Sequence, residues 1–262
     1  MLTIIRPGTV TLERAAYMPP FLQPLAEAAM QGAALEPLIE KIVRNFGFDS
    51  FMYGTSAAPF PHQESKSYVF TTLPHAWVAR YDERAYIEVD PRVKRASEGP
   101  LPLVWDQASE QGRSDRLDAF LADSAAHGVA SGVAFGVHDL RAGVVLIALS
   151  ASNPVINDAR HSEISRDLGN ILLLGIYFHE IFMSGLVQQG VPPRSEGAPL
   201  TPREHQCLVH AARGLTSADI GRKLDIAERT VEFHFAGIRS KLSAVNRQEA
   251  IAKAMASGLI HP

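Results

Sequence analysis

Closely spaced helix starts and stops between residues 201 and 258 constrain this chain more than any other feature. The stretch TPRE at 201–204 combines a capping threonine, a proline at the first helical position and a glutamate at the third. The stretch TSAD at 216–219 repeats that cap spacing, and such side chains bond the free N–H groups of a first helical turn. With Asn246 as a further cap and glycines as stops, the pattern predicts four helices, at 201–214, 216–224, 228–242 and 246–258.

The third of these helices carries one apolar stripe, formed by Val231, Phe235, Ile238 and Leu242 at helical spacing. A tight turn before it gives the spacing of a helix-turn-helix, whose second helix lies in the DNA major groove. We expect its cations to contact phosphates, Glu232 to accept from a cytosine amine, and its small or apolar side chains to pack on thymine methyls. The predicted DNA contacts are Arg222, Lys223, Arg229, Thr230, Glu232, Phe233, Ala236, Arg239 and Lys241.

The charge distribution agrees with a polyanion partner for the C-terminal part alone. Residues 199–262 contain nine Lys/Arg and six Asp/Glu, whereas the first 198 residues contain 16 and 22. A single cysteine, Cys207, excludes an intrachain disulfide and fits a reducing compartment. The longest apolar run, at 171–178, is too short to span a bilayer, so we predict a cytoplasmic protein without a membrane partner.

A stretch rich in Gly, Pro, Ser and Gln divides the chain. It predicts a linker at 188–199 between a domain at 1–187 and a domain at 200–262. In the first domain helical and strand patterns alternate, which predicts an α+β fold in which a central antiparallel sheet lies between helical layers. The predicted helices are 35–47, 75–83, 113–128 and 157–186, and the predicted strands are 49–56, 67–73, 131–138 and 143–152.

Aromatic residues and one acid in the first domain suggest a binding pocket. Trp77 and Tyr81 lie four residues apart and share a helix face, while Asp90 and Trp105 follow in apolar surroundings. Trp and Tyr donate hydrogen bonds and an ionised Asp accepts them, a set that suits a neutral ligand with a carbonyl and an amide N–H. The alternative is that these residues are core aromatics and a helix-capping Asp.

Both parts resemble the LuxR-type transcription regulators. The C-terminal part matches their DNA-binding domain at Thr201, Glu204, Gly214, Ile220, Thr230-Val231, Lys241-Leu242 and Gly258-Leu259-Ile260. The N-terminal part matches signature positions of their autoinducer-binding domain at Trp77, Tyr81, Asp90, Pro91, Trp105 and Gly132. The resemblance implies an α/β/α sandwich followed by a four-helix helix-turn-helix domain.

The resemblance also implies roles for these residues towards an N-acyl-homoserine lactone. Trp77 would donate to the lactone carbonyl, Asp90 would accept the ligand amide proton, and Tyr81 and Trp105 would wall the pocket. Strand alternation then adds candidate contacts of the acyl tail, which are Met52, Tyr53, Val69, Phe120, Val129, Ala134 and Phe135.

Several positions depart from the family pattern. Leu73 and Ala148 stand where relatives often have polar side chains that bond the acyl carbonyl. Arg92 replaces a small residue, and it either binds the acyl oxygen or faces away. In the second domain Ala227 replaces a capping serine, and Glu232 replaces a frequent cation.

These observations predict a ligand-responsive transcription regulator, and they leave two alternatives. As a homodimer joined through the helix at 157–186, it would bind a pseudo-palindromic promoter site and, as an activator, contact RNA polymerase. One alternative is a family member that responds to another small molecule or acts without ligand. The other is a lactone-cleaving enzyme, but the ten histidines show no metal-ligand spacing, so we predict no catalytic residues, no metal and no cofactor besides the effector.

Overall fold

In the computed structural model the chain divides into two compact units, residues 1–193 and 194–262. Most of the predicted linker at 188–199 lies outside the described residues. The structure describes residues 2–10, 18–55, 67–139, 143–189, 200–256 and 259–260.

The first unit is built on one six-stranded sheet. Its strands are β1 (Leu2–Ile4), β2 (Ser50–Thr55), β3 (Ser67–Thr71), β4 (Leu103–Asp106), β5 (Ser131–Asp139) and β6 (Gly143–Ala151). The strand order is β1-β3-β2-β6-β5-β4, and every pairing except the parallel β1–β3 edge is antiparallel. The predicted antiparallel sheet is therefore confirmed, and β1 and β4 extend it at its two edges.

The described part of this unit contains seven α-helices, which pack with the sheet. They are α1 (Gln23–Met30), α2 (Glu36–Asn45), α3 (His75–Glu83), α4 (Pro91–Glu98), α5 (Gln107–Glu110), α6 (Asp115–Ala126) and α7 (Asp158–Gln188). The sequence patterns did not predict α1, α4 or α5. For α4 the signal was present, since Asp90 caps it by accepting from the Arg92 amide and Pro91 occupies its first position.

Alternation along the central strands sends side chains to two separate cores. Phe51, Tyr53, Phe135 and Ile147 pack with α1, α2 and α7 on one face. Their neighbours Met52, Ala134 and Ala148 point to the opposite face, where Trp105, Val129 and residues of α4 pack. The result is the predicted α/β/α sandwich.

The long helix α7 lies directly on the sheet. A Cβ at Gly175 would come within 2.5 Å of the Phe135 ring, so a glycine is needed for this approach. By length and composition α7 could cross a membrane, yet half of its most apolar window is buried in the fold. Leu173 and Ile176 on its outer side remain exposed.

The described residues of the second unit form four helices, as predicted. They are α8 (Pro202–Ala212), α9 (Ser217–Leu224), α10 (Glu228–Lys241) and α11 (Arg247–Ala256). Both predicted capping boxes form, at Thr201 with Glu204 and at Thr216 with Asp219. The whole predicted stripe of α10 is buried in one core with Cys207, Leu208 and Ile220.

The turn between α9 and α10 depends on two backbone features. Asp225 ends α9 in the left-handed conformation, with φ of 55°. A Cβ at Gly221 would lie 2.7 Å from the Ile226 carbonyl oxygen, so only glycine lets the turn pack this closely. Together they fix the angle at which α10 leaves α9.

Candidate ligand cavity and DNA-binding surface

A cavity of about 90 Å³ lies between the sheet and helices α3 and α4. A cavity needs roughly 10–15 Å³ to hold one water molecule, so this cavity is large enough for a bigger ligand. Its walls are mostly apolar. The lining residues are Leu2, Met52, Gly54, Thr55, Val69, Thr71, Leu73, Trp77, Val78, Tyr81, Ile87, Arg92, Val93, Val129, Leu146, Ala148 and Ser150.

Trp77 anchors the aromatic end of the cavity. It is buried, lies edge-on to Tyr81 with ring centroids 5.9 Å apart, and stacks on His127 at 4.9 Å. Among the described residues no hydrogen-bond acceptor meets its indole N–H. Trp77 also lines the cavity, so its indole N–H is a candidate donor to a ligand oxygen.

Asp90 forms a bidentate ion pair with Arg92 beside the cavity. The Asp90 oxygens Oδ1 and Oδ2 accept from Arg92 Nε at 2.8 Å and Nη2 at 2.7 Å. Oδ1 also accepts from the Arg92 backbone N–H at 2.9 Å, and Oδ2 accepts from the Tyr81 hydroxyl at 3.0 Å. The Arg92 side chain therefore neither faces away nor stands alone, because it lines the cavity while paired with Asp90.

The electrostatics of this cluster follow from its burial. Burial lowers the pKa of the Arg92 guanidinium, but the charge and hydrogen bonds of Asp90 outweigh burial, and the net pKa is raised. Burial and the neighbouring Asp90 charge raise the pKa of Tyr81 well above its ordinary value. Arg92 stays charged and Tyr81 stays a neutral donor at physiological pH. The guanidinium also lies 4.8 Å from the Trp105 ring centroid, within cation–π range.

The structure brings seven of the predicted ligand contacts together in the cavity lining. They are Met52, Val69, Trp77, Tyr81, Arg92, Val129 and Ala148. Arg92 separates three other predicted contacts from the cavity, namely Asp90, Trp105 and Phe120. Ala134 packs in the same core as Trp105. None of these four lines the cavity.

Tyr53 and Phe135, predicted as contacts of the acyl tail, lie instead on the opposite face of the sheet. The Tyr53 hydroxyl bonds His179 Nδ1 of α7 at 2.8 Å, and Phe135 packs on Gly175. Conversely, three residues that were not among the predicted contacts line the cavity, namely Gly54, Leu146 and Ser150. Each is two residues from a predicted contact on the same strand, so the alternation that gave Met52 and Ala148 also indicates them.

The second unit presents a basic surface on α9 and α10. Lys223, Arg229 and Arg239 are exposed and form no ion pair with any described residue. Phe233 is 74% exposed, which is unusual for so large an apolar side chain outside an interface. Ala236 is exposed and Thr230 half-buried on the same helix, whereas Arg222 is exposed but paired with Asp219.

Besides Arg222, two predicted DNA contacts are engaged within the protein. Lys241 Nζ donates to Glu204 Oε2 at 2.6 Å, so this cation ties α10 to the capping box of α8. The Ser217 hydroxyl donates to Glu232 Oε1, and the Arg247 guanidinium lies 3.9 Å from the same oxygen. Lys241 is therefore tied to α8, whereas Glu232 remains 60% exposed and is held in place from one side.

The pKa of the Glu204 carboxyl is lowered in this arrangement. Burial raises it, but the bonds from Lys241 and Thr201 and the Lys241 charge outweigh burial. The carboxylate is thus ionised near neutral pH. Its ion pair with Lys241 fastens the C-terminal end of α10.

Family models match both units. Residues 33–182 match the autoinducer binding domain, and residues 198–254 match the luxR family of bacterial regulatory proteins. The transcriptional activator protein VanR of Vibrio anguillarum is 30% identical over 228 residues, which cover 87% of this chain and 91% of VanR. Such relatives are regulators, which confirms the prediction of a regulator over a lactone-cleaving enzyme.

Solved structures agree on the fold. Escherichia coli SdiA matches with a TM-score of 0.63 at 22% identity, covering 88% of this chain and 94% of SdiA. SdiA in complex with octanoyl-rac-glycerol matches with a TM-score of 0.60 at 22% identity, covering 87% of this chain and 88% of SdiA. The N-acylhomoserine lactone dependent factor CepR2 of Burkholderia cenocepacia matches at 0.53 with 26% identity, covering 63% of this chain and 95% of CepR2.

Proposed function

Because the chain belongs to the LuxR family of bacterial regulators, with an autoinducer-binding and a DNA-binding part, we propose that its effector is an N-acyl-homoserine lactone. Occupation of the cavity would change how the protein binds promoter DNA. The observation that carries this proposal is the apolar cavity with the unpartnered indole N–H of Trp77 at its wall.

The chemistry of the cavity suits this ligand class. A lactone carbonyl is an oxygen acceptor for the Trp77 indole, and an acyl tail is suited to the apolar strand residues Met52, Val69, Leu146 and Ala148. Burial of each tail CH₂ contributes roughly 0.8 kcal/mol, so a tail of several carbons supplies most of the affinity.

For DNA binding we propose a homodimer and the domain limits predicted from the sequence. The limits are 1–187 for ligand binding, 188–199 for the linker and 200–262 for DNA binding. The exposed Leu173 and Ile176 of α7 supply an apolar surface for the dimer, which would bind a pseudo-palindromic site.

The proposed phosphate contacts are Lys223, Arg229 and Arg239. The residues proposed to face the bases are Glu232, Phe233 and Ala236. As an activator the dimer would also contact RNA polymerase.

We also propose that the protein works in the cytoplasm and needs no cofactor besides its effector. Its one cysteine, Cys207, is a buried free thiol in the core of the second unit. A protein that regulates promoters works where the DNA is, and a free thiol persists in that reducing compartment.

A panel of acyl-homoserine lactones tests the proposal. A ligand that binds only the native state raises the melting temperature by mass action. We expect a shift for at least one tail length, and a smaller shift for the Trp77→Phe variant, which lacks the indole donor. No shift with any lactone would overturn the proposal in favour of a family member with another effector or none. That alternative draws support from Leu73 and Ala148, which place no acceptor or donor at the cavity wall.

A further inference from the structure

Asp90 has no acceptor position left for a ligand. Its Oδ1 accepts from the backbone N–H and from Nε of Arg92, and its Oδ2 accepts from Arg92 Nη2 and the Tyr81 hydroxyl. An ionised carboxylate offers about four lone-pair sites, and all are used here. The side chain is also fully shielded from solvent. A ligand N–H would have to displace a buried charged donor before it could bond Asp90.

Arg92 and Trp77, by contrast, have N–H groups that no described residue accepts from. The guanidinium uses only Nε and one N–H of Nη2 on Asp90, which leaves its other N–H groups without an acceptor among the described residues. Arg92 lines the cavity, as does Trp77, whose indole N–H likewise meets no described acceptor. Two side chains with free donors thus line the cavity, and the one of Arg92 is charged.

We infer that Arg92, rather than Asp90, is the polar anchor of the ligand, so that the site reads the oxygen acceptors of an acylated headgroup and does not require its amide N–H. This inference rests on the proposed function and names the feature of the ligand that is selected. Acyl esters and acyl amides of the same lactone are then equivalent ligands. The ion pair with Asp90 positions the guanidinium for this task.

Two ligands that differ only at the amide N–H, which one of them replaces by oxygen, test the inference on the full-length protein. They are N-octanoyl-homoserine lactone and the ester in which oxygen replaces its N–H, α-octanoyloxy-γ-butyrolactone. We expect their dissociation constants, measured by titration calorimetry, to agree within about threefold. An ester that binds at least about tenfold more weakly would show that a charged acceptor reads the N–H, which overturns the inference and leaves the proposed function intact. Binding of neither probe, together with no response to any lactone of the panel, would overturn both.

The Arg92→Leu variant tests the anchor directly. Without the guanidinium the acceptor sites of Asp90 become free for an N–H, so we expect the ratio of ester to amide dissociation constants to rise at least about tenfold. Arg95→Leu, on the exposed side of the same helix, is the matched control and should leave the ratio unchanged. An unchanged ratio in Arg92→Leu would overturn the inference, and if that variant does not fold, the comparison of probes on the wild-type protein decides.

Discussion

The carboxylate of Asp90 and the guanidinium of Arg92 form a bidentate ion pair that is almost completely buried beside the cavity, with contacts of 2.8 and 2.7 Å. The pair joins the cap of α4 to the wall of the cavity. Asp90, which the sequence predicts as a ligand contact, therefore also stabilises the fold.

Removal of Asp90 should destabilise the first unit strongly. Asp90→Ala leaves the Arg92 charge buried without a partner, which typically costs about 3–5 kcal/mol. The double variant Asp90→Ala/Arg92→Leu should recover part of that loss, because no charge remains buried. Urea unfolding of the full chain measures both. A double variant no more stable than Asp90→Ala would contradict this account.

Arg239 and Lys241 should behave differently although they lie two residues apart on α10. Arg239→Ala should weaken binding to every DNA sequence and reduce the salt dependence by about one released counterion, because Arg239 is exposed and unpaired among described residues. Lys241→Met should instead lower stability by about 1–2 kcal/mol, since Lys241 bonds Glu204. Salt titrations of DNA affinity and urea unfolding of both variants separate the two roles. Equal loss of salt dependence in the two would refute the assignment.

Ala227 is a site for stabilisation. It is the N-cap of α10 and makes no side-chain bond to the first turn. Ala227→Ser should supply that bond and raise the free energy of unfolding of the second unit by about 1 kcal/mol. Hydrogen exchange of the first amides of α10, followed by mass spectrometry, should slow accordingly. Ala236→Ser on the exposed face of α10 is the control, and equal protection in both variants would refute a capping effect.

The lowered pKa of Glu204 predicts a specific pH dependence. A carboxyl whose folded pKa lies below its ordinary value of 4.5 stabilises the fold above that value, and loses the stabilisation as the pH falls through the folded pKa. The second unit should therefore lose stability on acidification in the wild-type protein more than in Glu204→Gln. The difference between their unfolding free energies at pH 7 and near pH 3 measures the effect. Parallel pH profiles would contradict it.

The sequence specified the helix-turn-helix unit almost completely, because its signals are local. Capping boxes act within one turn, and the stripe from Val231 to Leu242 fixes the buried side of α10. Lys241, a predicted DNA contact, also bonds Glu204 of α8, and the sequence did not indicate that bond. This lysine follows Ile238 by three residues and borders the stripe, so the neighbouring helix α8, rather than α10 itself, decides what it contacts.

The cavity was predicted less well, because its contacts depend on tertiary structure. Alternation shows that Met52 and Tyr53 face opposite sides of a strand, but it does not say which side meets α3 and which meets α7. Arg92 is the instructive case. It follows Asp90 by two residues, at the second position of a helix that Asp90 caps, and this local geometry lets the side chain fold back onto its own cap.

The most direct test of the account is whether the cavity and the DNA-binding surface are energetically linked. Fluorescence anisotropy would give the affinity of the full-length protein for a duplex selected from a random pool, with and without saturating N-octanoyl-homoserine lactone. We predict a change of at least about fivefold, and a change in lactone affinity by the same factor when DNA is saturating. A lactone that binds, as shown by calorimetry, and leaves the DNA affinity unaltered would contradict the account.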